Sequence, residues 1–168
     1  LHAFDWDKLA AGRGKAKKII VRAAQAQETF KTLDGKNFNL QPWMAVIADD
    51  GGALALAGIK GGKRAEIDGK TETVILESAN FDAKTIRRTS RTLGLSTDAS
   101  YRFEHNIGSH GVLFAAHRAA ELIVSVGGGR IFAGAVDKRQ NPETVKKIIL
   151  NLPLAEKLLG TEIQTAVA

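Results

Sequence analysis

Cysteine is absent from the 168-residue chain. That excludes disulfides, thiolate zinc sites, iron–sulfur clusters and cysteine nucleophiles, and it suits a reducing compartment. No apolar run approaches the ~18 residues of a membrane span; the longest, at 43–48 and 53–59, are strand-sized. Residues 1–10 carry two acids and no basic leader, so no signal peptide is visible. No His-x-x-x-His pair with a helical Glu is present, and no Gly-x-Ser-x-Gly, which removes the zincin and α/β-hydrolase signatures. The run Gly58-Ile59-Lys60-Gly61-Gly62-Lys63-Arg64 fails as a Walker loop, because Ala57 stands where a glycine is required and Arg64 replaces the Ser or Thr.

What is present is an ordinary globular composition with a moderate basic excess: 24 Lys plus Arg against 18 Asp plus Glu, a net charge of +6. The length favours one main domain, able to bury roughly 70% of the surface its unfolded chain exposes. The excess fits either a solvated surface or a nucleic-acid partner. The chain opens on Leu1 rather than Met, which points to a fragment of a longer protein.

Residues 1–12 read as a brief helical turn stopped by Gly12, and 12–18 as a basic loop. Residues 19–23 are β-rich. Runs 29–33 and 36–40 flank Asp34-Gly35, a hairpin signal. Residues 43–48 read as a buried strand that turns at Asp49-Asp50-Gly51-Gly52 and returns over 53–59. Residues 58–70 read as a Gly/Lys/Arg loop, and 73–76 as a strand with Glu77 at its end. Asp82 can cap a helix running to Leu93 and stopped by Gly94. Residues 97–106 read as polar and irregular. Ser109 can cap a long helix over 110–126, where apolar residues recur at helical spacing, with Gly127-Gly128-Gly129 after it. Residues 131–136 read as a last strand. Beyond the turn at Asn141-Pro142-Glu143 come a strand over 144–150 and a short helix over 153–159 stopped by Gly160. Strands precede helices, so the expected class is α+β, with layered strand hairpins covered by two main helices.

Taken residue by residue, each candidate has two readings. Glu77, an acid closing an apolar strand, is a site residue or an ion-paired cap. His2 beside Phe4 and Trp6 is a partly buried histidine or a pocket group. His110 and His117 read as surface histidines on one helix. Thr97-Asp98-Ala99-Ser100 has turn chemistry. The segment from Gly58 to Gly62 lets backbone approach a ligand closely. Arg87, Arg88 and Arg91 form a basic helix face, either solvated or on phosphates.

Several segments occur together in one order: His2-Ala3-Phe4-Asp5, Glu28-Thr29, Thr32-Leu33-Asp34-Gly35, Val46-Ile47-Ala48-Asp49 and Ala55-Leu56-Ala57-Gly58-Ile59 with Gly61-Gly62. Thr73-Val74-Ile75-Leu76-Glu77-Ser78-Ala79 with Phe81 and Thr97-Asp98-Ala99-Ser100-Tyr101-Arg102-Phe103-Glu104 follow. This set resembles the central editing domain of the beta subunit of bacterial phenylalanyl-tRNA synthetases over residues 1–137, with 138–168 resembling the start of the next domain.

The resemblance implies hydrolysis of tyrosine wrongly attached to phenylalanine tRNA. A hydrophobic pocket rejects an added hydroxyl by only about a hundredfold, so a second pocket that hydrogen-bonds the hydroxyl is needed. By the same resemblance, Glu77 matches the acid that recognises the tyrosyl hydroxyl, His2 lines the same pocket, and Gly61 keeps it open. Thr97 and Ala99 match small residues on its far wall. Backbone N–H groups near Gly58 and Gly62 are candidates to hold the ester or a water, with water as the nucleophile. Lys60, Lys63, Arg64 and the Arg87–Arg88–Arg91 face are the candidate RNA contacts. The implied partners are tRNA and the alpha subunit of a cytoplasmic hetero-oligomer. No cofactor or metal is expected in this chain; ATP and Mg2+ serve the parent enzyme. The chain departs from the family at Lys60, where Met or Phe is usual. It departs again at His105-Asn106-Ile107-Gly108, where an Arg-Gly-hydrophobic-Asp is usual; Asn106 can take the left-handed conformation of that glycine. The alternatives are a non-catalytic structural or RNA-binding module of the same subunit and a free-standing editing protein.

Overall fold

The computed structural model describes residues 1–12, 14, 16–139 and 147–163. The apolar run beginning at Trp43 lacks polar alternation, as a strand covered on both faces should. It forms β5 (Ala45–Asp49), and β6 (Gly52–Leu56) returns beside it. β2 (Ile20–Ala23) pairs with the outer edge of β5, and the two-residue β7 (Lys60–Gly61) with β6, giving an antiparallel sheet in the order β2-β5-β6-β7.

Both faces of the central strands β5 and β6 are buried. On one, Val46, Ala48 and Leu56 pack with Phe30, Leu40 and Ile86. Phe30 comes from the hairpin of β3 (Thr29–Lys31) and β4 (Asn37–Asn39), which turns at Asp34-Gly35 as expected, with Gly35 at φ +84°. Ile86 comes from α1 (Ala83–Leu93). On the other face, Ile47, Leu54 and Ala55 meet Phe4, Leu9 and Ala65. Phe4 and the half-buried Ile75 belong to a two-stranded antiparallel ribbon, β1 (His2–Asp5) with β8 (Val74–Glu77). Layered antiparallel sheets with helices make the fold α+β, as expected.

The helix signals hold where a cap is written into the sequence. The Asp82 carboxylate accepts from the Thr85 N–H, and α1 stops at Gly94 with φ +63°. α4 (Leu152–Leu159) starts at Asn151 and stops at Gly160. The chain divides into two compact units, Leu1–Ala133 and Gly134–Ala168. In the second, the Glu156 carboxylate accepts from the Ile163 N–H, 3.0 Å away.

Six expectations are corrected. Residues 2–5 form β1 rather than a helical turn, because pairing with β8 supplies a partner no local signal reveals. Residues 98–104 are not irregular: they form α2 (Asp98–Glu104), set by a reciprocal capping box between Thr97 and Ser100. The Gly/Lys/Arg loop contains β7 and a 3-10 turn at Lys63–Ala65. The long helix is α3 (Val112–Gly127), capped at Gly111 without a side chain, so His110 lies before it and shares no helix with His117. Residues 131–136 form no strand. Of the strand expected over 144–150, residues 147–150 are not in a strand; the remainder, with the turn at 141–143, lies outside the described residues.

One buried charge ties the layers together. The Asp49 carboxylate, fully shielded, accepts from the N–H groups of Ala10 at 2.7 Å and Gly51 at 2.8 Å, and from Arg64 Nη2 at 2.9 and 3.0 Å. Asp49→Ala leaves these donors without an acceptor; Arg64 is exposed to water, so the expected loss is the roughly 1–3 kcal/mol of donors left unsatisfied rather than that of a stranded buried charge. Urea unfolding should show that loss; a change below about 1 kcal/mol would mean water replaces the carboxylate.

Candidate functional site

His2 and Glu77 are directly opposed in the β1–β8 register. Opposed residues of an antiparallel pair project to the same face, with Cβ atoms roughly 5 Å apart. Phe4 and Ile75, two residues along their strands, share that face and point into the core. His2 and Glu77 therefore project toward the four-stranded sheet at the end of the ribbon.

Gly61 of β7 meets them there. A Cβ on Gly61 would lie 2.4 Å from His2 Cε1, 2.7 Å from His2 Nε2 and 2.9 Å from Leu33 Cδ1. The imidazole occupies the space a side chain would need. It also stands edge-on to Phe4, with ring centroids 4.7 Å apart. Among the described residues, neither the His2 imidazole nor the Glu77 carboxyl has a hydrogen bond or ion pair. Burial dominates their titration. It lowers the His2 pKa below its ordinary 6.5, so the ring is neutral at pH 7. It raises the Glu77 carboxyl above its ordinary 4.5. For His2, the stability gained from being neutral is complete above pH 6.5 and is lost as pH falls through the lowered value.

The other glycines of this segment answer different neighbours. A Cβ on Gly62 would strike the Leu54 carbonyl oxygen at 2.5 Å and the Phe30 ring at 2.6 Å. Gly58 adopts φ +68° and abuts Phe81, Ile86 and Phe103. The Gly62 N–H donates to Leu54 O at 2.8 Å and the Ile59 N–H to Leu56 O at 3.0 Å, so these two donors are engaged within the sheet and its turn. Thr97 caps α2 and also donates its hydroxyl to Ile59 O at 2.8 Å, which fixes the β6–β7 turn; Ala99 is exposed on α2. Immediately after Glu77, at the same end of β8, the Ser78 hydroxyl donates to Val112 O at 2.7 Å and anchors the start of α3.

The departures from the family pattern have local partners. Lys60 Nζ lies 3.7 Å from Asp34 Oδ2, so its charge is countered from the β3–β4 turn. Asn106 adopts φ +65°, the conformation expected of it, and Asn80 Nδ2 donates to Ile107 O.

The basic candidates separate into groups. Lys63 pairs with Glu66, Arg64 with the buried Asp49, and Arg87 donates to Glu104 O at 2.9 Å. The Arg88 guanidinium stacks 3.8 Å from the Trp43 ring centre. The Arg91 side chain makes no hydrogen bond or ion pair among the described residues. Sequence reasoning missed Leu33, which tertiary packing alone brings to Gly61. It also missed Lys84, three residues before Arg87 and readable from helical spacing.

Among the described residues, no group of three or more His, Asp or Glu is placed to hold a metal ion, and no helix is long and apolar enough to cross a membrane.

The family model of the B3/4 domain matches residues 1–128, and the chain belongs to that family. The particular proteins it resembles are phenylalanine–tRNA ligase beta subunits. That of Salinibacter ruber is 42% identical over 165 residues, 98% of this chain and 19% of that protein. That of Moorella thermoacetica is 44% identical over 166 residues, 97% of this chain and 20% of that protein. That of Syntrophus aciditrophicus is 44% identical over 167 residues, 99% and 20%. The chain thus spans about a fifth of the length of the curated relatives it matches.

Proposed function

We propose that this domain is the proofreading module of a phenylalanine–tRNA ligase beta subunit and hydrolyses tyrosine wrongly esterified to phenylalanine tRNA. The observation that carries the reading is the meeting of three features. The Glu77 carboxyl is half-buried and unpartnered, neutral His2 stands opposite it, and a glycine stands where any side chain would displace the imidazole. An acceptor with no partner in the protein matches a ligand that brings its own donor, and the phenolic O–H of tyrosine is one.

In this reading the Glu77 carboxylate accepts the phenolic proton in a hydrogen bond and the His2 ring orients the phenol. Phenylalanine in the same place leaves the carboxylate desolvated without a donor, which is the basis of discrimination. Water attacks the ester carbonyl carbon, the bond to the ribose oxygen breaks, and that oxygen leaves as the tRNA terminal hydroxyl with a proton from the water. Residues 1–137 carry this site, and 138–168 begin the following domain. Aminoacylation, with ATP and Mg2+, belongs to the alpha subunit and the rest of a cytoplasmic hetero-oligomeric enzyme.

The test is deacylation of tyrosyl-tRNA against phenylalanyl-tRNA by the whole enzyme. The tyrosyl ester should be hydrolysed at least a hundredfold faster than the phenylalanyl ester, the scale of the discrimination a polar pocket adds. Tyrosyl-ester hydrolysis no faster than the spontaneous reaction would leave the domain as a structural or RNA-binding part of the subunit.

A further inference from the structure

We propose that the outer face of α1 is a phosphate-binding surface that engages the tRNA backbone and shares no residue with the ester site; the identity of the RNA rests on the function proposed above. Lys84, Arg87, Arg88 and Arg91 stand at i, i+3, i+4 and i+7, so they share one helix face over a length of about 10 Å. All four are exposed, and with Thr92 they line an open cavity of about 340 Å³. The opposite face of α1 buries Ile86, Thr89 and Ser90, so the cations project from a helix rooted in the core.

The charge pattern argues against a face that is merely solvated. A solvated helix gains from opposite charges three or four residues apart, yet α1 contains no acid along its whole length. Instead, the pairs 84/87, 84/88, 87/91 and 88/91 are all like-charged at those spacings, each unfavourable in the isolated helix. The neighbouring acids do little to relieve this. Glu104 Oε2 lies 3.9 Å from Arg87 Nε, and Asp82, which caps the helix, feels the Lys84 charge without forming an ion pair. An anion with several phosphates along ~10 Å relieves all four at once; a nucleic-acid strand carries one phosphate per ~3.4 Å of axis. Arg88 is held ready for such a contact: its guanidinium lies over Trp43 at 3.8 Å, leaving its N–H edges free to fork onto phosphate oxygens.

The experiment measures binding of uncharged tRNA to the whole enzyme across a series of KCl concentrations, for the parent and for a variant carrying Lys84→Gln and Arg91→Gln. Neither side chain makes a hydrogen bond or ion pair among the described residues, so the substitution removes charge and leaves the internal bonding intact. The expected result is binding roughly tenfold weaker at low salt, with the slope of log K against log salt lowered by about 1 to 2, near one for each phosphate no longer neutralised. Unchanged affinity and slope would overturn the proposal. So would a variant that binds tRNA normally but no longer associates with the alpha subunit, which would assign the face to a protein partner. The two readings fail separately: tyrosyl-ester hydrolysis by the parent enzyme decides the proofreading site, and the slope, measured without any ester, decides this face.

Discussion

On the function proposed above, Gly61→Trp should abolish tyrosyl-ester hydrolysis, lowering the rate by roughly a hundredfold or more, the scale expected when a substrate can no longer be positioned. The geometry leaves no slack. Even the first carbon of a side chain would sit 2.4 Å from one imidazole carbon and 2.7 Å from Nε2. The His2 ring must swing away, and the indole then takes the volume in front of Glu77. Leu33, at 2.9 Å, blocks the opposite direction. Gly61→Ala is the graded form of the same test: a methyl displaces the imidazole without filling the site, and a misplacement of about 1 Å can remove a hundredfold. The atoms in the way are the ends of two side chains, His2 and Leu33, and not backbone, so the strain is expected to fall on the site first, and thermal unfolding of both variants checks that the fold persists. Gly62→Ala is the contrast, because there the obstruction is the Leu54 backbone carbonyl at 2.5 Å. That variant should lower stability by roughly 1–3 kcal/mol through overpacking. Deacylation and thermal unfolding measured side by side distinguish the cases. A Gly61→Trp enzyme that still clears tyrosyl-tRNA at the parent rate would mean that the ester is held elsewhere.

The parts of the fold that the sequence makes legible are those whose cause is local. Asp34-Gly35 turns a hairpin because glycine accepts φ +84° there, and Asp82 with Gly94 brackets α1 because both ends need particular chemistry. The unbroken apolar runs at β5 and β6 announce a sheet buried on both faces. What stays hidden is non-local. β1 pairs with β8 from the far side of the sheet-forming segments, and nothing near His2 signals it, so the segment reads as a turn. The site inherits this limit. Glu77 stands out locally as an acid closing an apolar strand and Gly61 as part of a glycine-rich segment, but their joining with His2 in one pocket is suggested by family resemblance; that they converge is a property of the β1–β8 register and of β7 at the sheet edge. The Gly58–Gly62 segment shows the same division. Its glycine content is obvious in the sequence, but its three glycines accommodate an aromatic cluster, an imidazole and a backbone carbonyl respectively, and only Gly61 faces the candidate site.

On the same proposal, Glu77→Ala should make the site unselective, lowering the preference for tyrosyl over phenylalanyl esters by roughly 10- to 100-fold, which corresponds to the ~1.5–3 kcal/mol of a hydrogen bond to a charged group. Hydrolysis of the phenylalanyl ester should hold or rise, since the variant no longer desolvates a carboxylate against an apolar ring. Glu77→Gln keeps a neutral acceptor and should retain part of the preference. The pH dependence follows from burial. Because the folded protein holds the Glu77 proton more tightly than the ordinary value of 4.5, selectivity for tyrosine should fall on acidification with a midpoint above 4.5, while Glu77→Gln shows no such limb. The stability contribution has the opposite sense. A carboxyl whose folded pKa is raised stabilises the fold in its protonated form; that contribution is complete below pH 4.5 and is lost as pH rises through the folded value. At neutral pH the ionised Glu77 therefore works against folding. Glu77→Gln should unfold at a higher temperature than the parent at pH 7 and show no such advantage once the pH is below that of the ordinary carboxyl. A variant less selective for tyrosine yet more stable at pH 7 identifies Glu77 as a group held for its ligand. A Glu77→Gln protein less stable at pH 7 would mean instead that the carboxylate is bound within the fold and is unavailable to tyrosine.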